Sequence, residues 1–187
     1  MRAQEYLSGL RAILESLSAD ELEAAADLFL QAYRRDRTVF LCGNGGSAST
    51  ASHLMCDLQK SVRGPDGRYL RAVALTDSVS LITAWANDFD YSRVFEEQVS
   101  ALGREGDLLV AISGSGRSAN VIKAVERANE MGLVTLGLAG FDGGVLREKA
   151  QHCIVVPSDN MQQIEDVHLM IGHLVFSRVR DEVAGDA

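Results

Sequence analysis

The chain has 187 residues, 47% of them hydrophobic and 24% charged, the balance of an ordinary globular domain. Its formal net charge of −8 argues against non-specific binding to nucleic acid or an anionic membrane, both of which need a basic surface. No apolar run approaches the roughly 20 residues that cross a bilayer, and Met1-Arg-Ala-Gln-Glu-Tyr6 is too polar for a signal peptide, so a cytoplasmic protein without a membrane or nucleic-acid partner is expected.

Two amphipathic helices open the chain. Leu7, Leu10, Leu14 and Leu17 form one stripe, and Leu22, Ala25, Ala26, Phe29 and Tyr33 form another. Between them, Ser18-Ala-Asp-Glu21 has the pattern of a capping box. The hairpin, residues 1–36, cannot bury both stripes by itself. It must lie on the rest of the single domain, residues 37–187, on a partner subunit, or on both.

Strand–helix alternation follows. The apolar runs Thr38–Cys42, Arg71–Leu75, Asp107–Ile112, Leu133–Leu138 and His152–Val156 read as strands buried on both faces. Helices are expected from about Ser47, Ser78, Ser118 and Asn160, with one over Ser92–Leu102 and a short one over Gly143–Ala150. Five strands alternating with helices predict an α/β fold, a parallel sheet with helices on both faces. Ligands of such folds sit at the carboxyl ends of the strands.

The first strand runs into Cys42-Gly-Asn-Gly-Gly-Ser47. This turn has neither dinucleotide-binding spacing nor a phosphate-loop lysine. Asn44 and Ser47 are instead suited to hydrogen-bond a polar ligand such as a sugar. On the next helix His53 and Asp57 stand four apart, on one face and close enough to share a metal. A surface ion pair is the competing reading. The basic residues Lys60, Arg63, Arg68 and Arg71 form either a positive rim or a solvated loop.

The third strand ends in Ser113-Gly-Ser-Gly-Arg-Ser118, the most informative stretch of the chain. Glycines admit a ligand close to the backbone. The start of the following helix favours an anion, and three hydroxyls add uncharged donors. A phosphate handle on a metabolite fits this turn. The bland alternative is that Ser118 only caps the helix.

The last helix carries Ile164, Val167, Ile171, Leu174 and Val175 on one side. Leu169 and Phe176 lie on the other, among Gln162, Glu165, Asp166 and His173. A helix with one buried face has no use for the second set, so its far side should meet another subunit or close a pocket. Glu165, Asp166, His168 and His173 strengthen the case for a metal. Glu165 and His173 are nevertheless separated by about 12 Å of helix rise. Cys42, Cys56 and Cys153 are scattered and odd in number, as expected of reduced thiols.

Taken in order, Gly43-Asn-Gly-Gly-Ser47, His53, Asn87-Asp88, Ser113-Gly-Ser-Gly-Arg-Ser118-Ala-Asn-Val-Ile-Lys, Asp142-Gly-Gly and Glu165-Asp-Val-His…His173 resemble the phosphoheptose isomerase family, whose members carry a SIS (sugar isomerase) domain. The resemblance covers nearly the whole chain, hairpin included. It implies a three-layer αβα sandwich around a five-stranded parallel, flavodoxin-like sheet, in a homotetramer. The implied reaction is isomerisation of sedoheptulose 7-phosphate to D-glycero-D-manno-heptose 7-phosphate. It assigns Ser113, Ser115 and Ser118 to the phosphate, and Asn44 and Asp88, with Gly45 and Ser47 of the first turn, to the sugar. It implies a zinc ion held by His53, Asp57, Glu165 and His173, with an acid–base pair drawn from the same group.

Several positions depart from the family pattern. Asp57 stands where glutamate is usual and Glu165 where glutamine is usual. Gly114 replaces a common threonine, and Arg117 a small polar residue, so Arg117 is a candidate to supply charge to the phosphate. Either Asp57 or Glu165 then serves as the base, with His173 as the acid. The rival readings are an isomerase of another ketose phosphate, such as an octulose phosphate, and a non-catalytic phosphosugar sensor or adaptor.

Overall fold

The structure, a computed structural model, describes residues 2–185. The hairpin is α1 (Ala3–Ser16) and α2 (Ala19–Arg34). Ser18 starts α2 as the capping pattern predicts, its hydroxyl accepting the Glu21 backbone N–H at 3.3 Å. The α/β part runs β1 (Thr38–Gly43), α3 (Gly46–Ser61), β2 (Arg71–Ala74), α4 (Val79–Asp88), a 3₁₀ turn (Tyr91–Arg93), α5 (Glu96–Leu102), β3 (Leu108–Ser113), α6 (Ala119–Glu130), β4 (Val134–Gly140), α7 (Gly144–Lys149), β5 (His152–Val156) and α8 (Met161–Gly185). The expected single helix over Ser92–Leu102 is in fact interrupted at Val94-Phe95. These two side chains are fully buried, and a continuous helix would not turn both toward the sheet.

All five strands are parallel, in the order β2-β1-β3-β4-β5. Alternation along the strands divides the core in two. Val39, Leu41, Leu108, Val110, Ile112, Leu136 and Leu138 face α2, α3 and α8. Phe40, Cys42, Leu109, Ala111 and Ala139 face α5 and α6 on the other side. With helices covering both faces, every residue of β3 is buried, which is why that strand reads as an unbroken apolar run. The result is the αβα sandwich that the sequence implied.

Two stripes fare differently from expectation. In α1 the buried residue is Ile13, while Leu7 is 64% exposed and Leu14 is 38% exposed. In α8, Ile164, Val167, Ile171 and Val175 are buried but Leu174 is 42% exposed. Leu174, unlike its neighbours Ile171 and Val175, is left uncovered by the rest of the described chain. No described helix is long and apolar enough to cross a membrane.

Candidate functional site

Two turns leave the carboxyl edge of the sheet side by side. Gly43 pairs with Ile112 across β1 and β3, so Asn44 and Ser113 emerge at the same level. The first turn depends on close packing. A Cβ at Gly43 would lie 2.7 Å from the Ser47 Cβ, and Gly45 has a φ of +54°. The second turn depends on it too. Gly116 has a φ of +64°, and a Cβ there would lie 2.0 Å from the Gly143 carbonyl oxygen. That contact seats the serine turn on the Asp142-Gly-Gly segment.

A feature that residue spacing did not reveal ties the turns together. Asn44 and Asn120 exchange side-chain amide hydrogen bonds, both at 2.8 Å. The Tyr91 hydroxyl donates a further bond to Asn44 Oδ1 at 2.9 Å. Asn120 is 3% exposed, and such a buried amide must find partners. The sequence signal was present, since Asn120 sits two residues past Ser118 in the quoted motif. What could not be read was its partner 76 residues earlier.

The serine turn presents its hydroxyls as a cluster. Ser113 Oγ donates to Ser118 Oγ at 3.1 Å. Ser118 is the residue before α6 but makes no side-chain capping bond, so the reading of Ser118 as merely a cap does not hold. Ser115 Oγ accepts the Arg117 backbone N–H at 3.2 Å. The Arg117 guanidinium is exposed and pairs with Asp142 at 2.7 Å. It braces the turn against the neighbouring loop. Asp88 ends α4 as an exposed residue bonded to Asn87 Nδ2 at 2.8 Å.

The departure at Gly114 has a structural counterpart. A Cβ at Gly114 would lie 2.4 Å from Met161 Sδ. Met161 opens α8 and occupies the space that a threonine side chain would need.

Close packing of α3 and α8 builds the second half of the site. A Cβ at Gly172 would lie 2.3 Å from Leu54 Cδ2, so the glycine lets the two helices approach. The residues beside that contact, His173 and His53, then meet at 3.1 Å between their Nε2 atoms. Asp57 Oδ2 lies 3.3 Å from His53 Nε2 and 3.6 Å from His173 Nε2. A zinc ion with ligands at about 2.0–2.1 Å places neighbouring ligand atoms about 3.3–3.4 Å apart in tetrahedral geometry. This triangle therefore has the size of a tetrahedral face. Its chemistry agrees, because two imidazole nitrogens and a carboxylate oxygen aimed at one point need a shared cation or proton. His53, Asp57 and His173 form a group able to hold a metal ion.

Glu165 and His168 are not in that group. The Glu165 carboxylate lies over Gly46, where a Cβ would come within 2.5 Å of it. Gly46 and His53 are separated by seven residues on α3, and Glu165 and His173 by eight on α8. Glu165 thus sits roughly two helical turns from the triangle, next to the first turn. His168 is buried in the core with Nε2 3.0 Å from the Ala139 carbonyl, and its Nδ1 has no partner. Burial lowers its pKa to about 4, so it stays neutral and structural. Burial also pushes the Cys42 thiol up to about 12 and Cys153 up to about 11, which removes both as nucleophiles at neutral pH.

Known proteins share the sequence and the fold of this chain. The SIS domain family matches residues 5–140. The phosphoheptose isomerase of Rhodospirillum rubrum is 43% identical over 169 residues, covering 87% of this chain and 86% of that protein. That of Clostridium acetobutylicum is 38% identical, covering 89% and 85%. The solved structure of the phosphoheptose isomerase from Neisseria gonorrhoeae superposes with a TM-score of 0.87 at 36% identity, over 96% of this chain and 95% of that one. With the SIS match spanning well over half of the chain and these relatives covering 87% of it or more, the chain belongs to the phosphoheptose isomerase family of SIS-domain proteins.

Proposed function

We propose that the protein interconverts sedoheptulose 7-phosphate and D-glycero-D-manno-heptose 7-phosphate by proton transfer through an enediol(ate), with Asp57 and His173 as the acid–base pair. The activity is that of its family, an aldose–ketose isomerase. One observation carries the assignment of roles: Asp57 and His173 stand 3.6 Å apart, so both can act on one pair of adjacent carbons. Asp57 takes the proton from one carbon and returns it to the next. His173 manages the proton on the oxygens. Ser113, Ser115 and Ser118 hold the phosphate, and their binding energy positions carbons that they do not touch. Glu165, lying between the serine turn and the triangle, accepts hydrogen bonds from sugar hydroxyls instead of acting as base.

Zinc fits His53, Asp57 and His173 by size and by donor type. When bound, it would supply a Lewis acid for the oxyanion that develops on the sugar. With zinc on His53 Nε2, Asp57 Oδ2 and His173 Nε2, the second carboxylate oxygen of Asp57 would remain to take the carbon-bound proton and the Nδ1–H of His173 to manage the proton on the oxygens. The enzyme works as a homotetramer in the cytoplasm, where its three free cysteines remain reduced.

Turnover of a panel of ketose phosphates, with metal content measured on the same sample, tests the reading. Conversion of the seven-carbon substrate ahead of five-, six- and eight-carbon analogues is the expected result. Better turnover of an eight-carbon substrate would reassign the enzyme to another sugar. Binding without conversion of any of them would make the chain a phosphosugar sensor.

A further inference from the structure

Four arginines from three chain segments line a cleft at the amino-terminal ends of β1, β2 and β3, the edge of the sheet opposite the serine turn. Arg35 and Arg37 precede β1, Arg71 begins β2 and Arg104 precedes β3. The cleft holds about 530 Å³. The acids lining it are Asp36 and Asp107, so four cations less two carboxylates leave +2, in a chain whose formal charge is −8.

Both acids are already engaged. Asp36 pairs with Arg71 at 3.2 Å. Asp107 is 3% exposed; its Oδ1 accepts the Thr38 N–H and its Oδ2 the Arg104 N–H, each at 2.8 Å. Those bonds fix the backbone on either side of the cleft. They leave the guanidinium groups of Arg35, Arg37 and Arg104 without a carboxylate partner among the described residues. Arg37 Nε is buried and has no acceptor. That nitrogen is out of reach of the cleft, and the exposed guanidinium groups of Arg35 and Arg104 are what the cleft offers an oxyanion. Guanidinium forks match tetrahedral oxyanions better than any other side chain does.

We propose that this cleft is a second anion site, taking a phosphate dianion, either free or as the monoester of a small metabolite. It does not depend on the isomerase reading, because the serine turn lies at the other end of the strands. Titration of the intact protein with inorganic phosphate, followed by calorimetry, tests it. Two phosphates per chain are expected. Ser115→Ala should weaken one of them, and Arg37→Gln combined with Arg104→Glu should weaken the other by at least about tenfold. Arg35→Glu with Arg104→Glu, two exposed side chains, serves as a second variant should loss of Arg37 impair folding. Repeating the titration with glycerol phosphate separates the two sources: tighter binding than inorganic phosphate identifies a metabolite, and equal binding the free ion. A single phosphate per chain, abolished by Ser115→Ala, would overturn the proposal. So would two phosphates that both arginine variants leave unchanged. If Ser115→Ala alone had no effect, the serine-turn assignment would fail while the arginine result stood.

Discussion

Each departure of this chain from its family pattern has a neighbour that explains it or a consequence that can be measured. Gly114 is the clearest case, since Met161 Sδ fills the place of the missing side chain. Gly114→Thr alone should therefore lower stability, by about 1–3 kcal/mol for overpacking. Met161→Ala in the same chain should relieve most of that loss. Urea unfolding of the two single variants and the double variant gives the coupling directly; additive effects would show that Met161 is not what excludes a side chain there. At the triangle, His53→Ala should release bound zinc and abolish most turnover, because it removes one of three donors. On the roles proposed above, Glu165→Gln should keep metal binding and at least about a tenth of wild-type activity, since the base is then Asp57. Loss of turnover in that variant with zinc retained would move the base from Asp57 to Glu165.

At the level of elements, His168 links helix α8 to strand β4 and makes their docking sensitive to acid. Its pKa is about 4 in the folded protein, against an ordinary value of 6.5. The unfolded chain therefore binds the proton first as pH falls. The stabilisation is complete above pH 6.5 and is lost progressively down to pH 4. A shift of that size corresponds to about 3 kcal/mol in full, and about 2 kcal/mol of it should be lost between pH 7 and pH 5. His168→Gln keeps a donor for the Ala139 carbonyl and cannot titrate. The difference in denaturation free energy between it and the wild type should flatten accordingly, and parallel pH profiles would remove His168 as the source. This residue also shows what the sequence could and could not tell. The strands, the turns at their ends and the i, i+4 pair of His53 and Asp57 follow from local pattern, so they were legible. His168 looked like a candidate ligand beside Glu165 and His173, because spacing alone does not say which side of a long helix faces the core. The Gly172–Leu54 approach that brings His173 to His53, and the Asn44–Asn120 pair, join residues far apart in the chain. Nothing local encodes them. The interruption at Val94-Phe95 has a similar origin: two adjacent buried side chains override a plausible helical pattern.

The whole molecule leaves much apolar surface uncovered. Leu7 on α1, Val79 at 69% and Phe89 at 61% around α4, and Met170 and Leu174 on α8 are all exposed. None of the residues of α4 is buried, although the helix is among the most apolar in the chain. Surfaces of this kind mark association. A homotetramer with dihedral symmetry is expected by light scattering at micromolar concentration. Leu174→Arg should shift it to smaller species, and a monomeric wild type would contradict the expectation.

The crossed amides of Asn44 and Asn120 have one more consequence. By locking the two turns to each other, they make the interval between the hydroxyl cluster and the histidine pair a fixed gauge. From the first turn, which the asparagine pair ties to the serine turn, the seven residues of α3 between Gly46 and His53 amount to about 10 Å of rise, comparable to the reach of an extended seven-carbon chain with its phosphoester. On the proposed roles, a shorter ketose phosphate anchored at one end would fall short at the other, and selection by length is the expected outcome. Slackening the gauge with Asn120→Ala should reduce the seven- over five-carbon preference in kcat/KM by about tenfold, and an unchanged ratio would mean that length is read elsewhere.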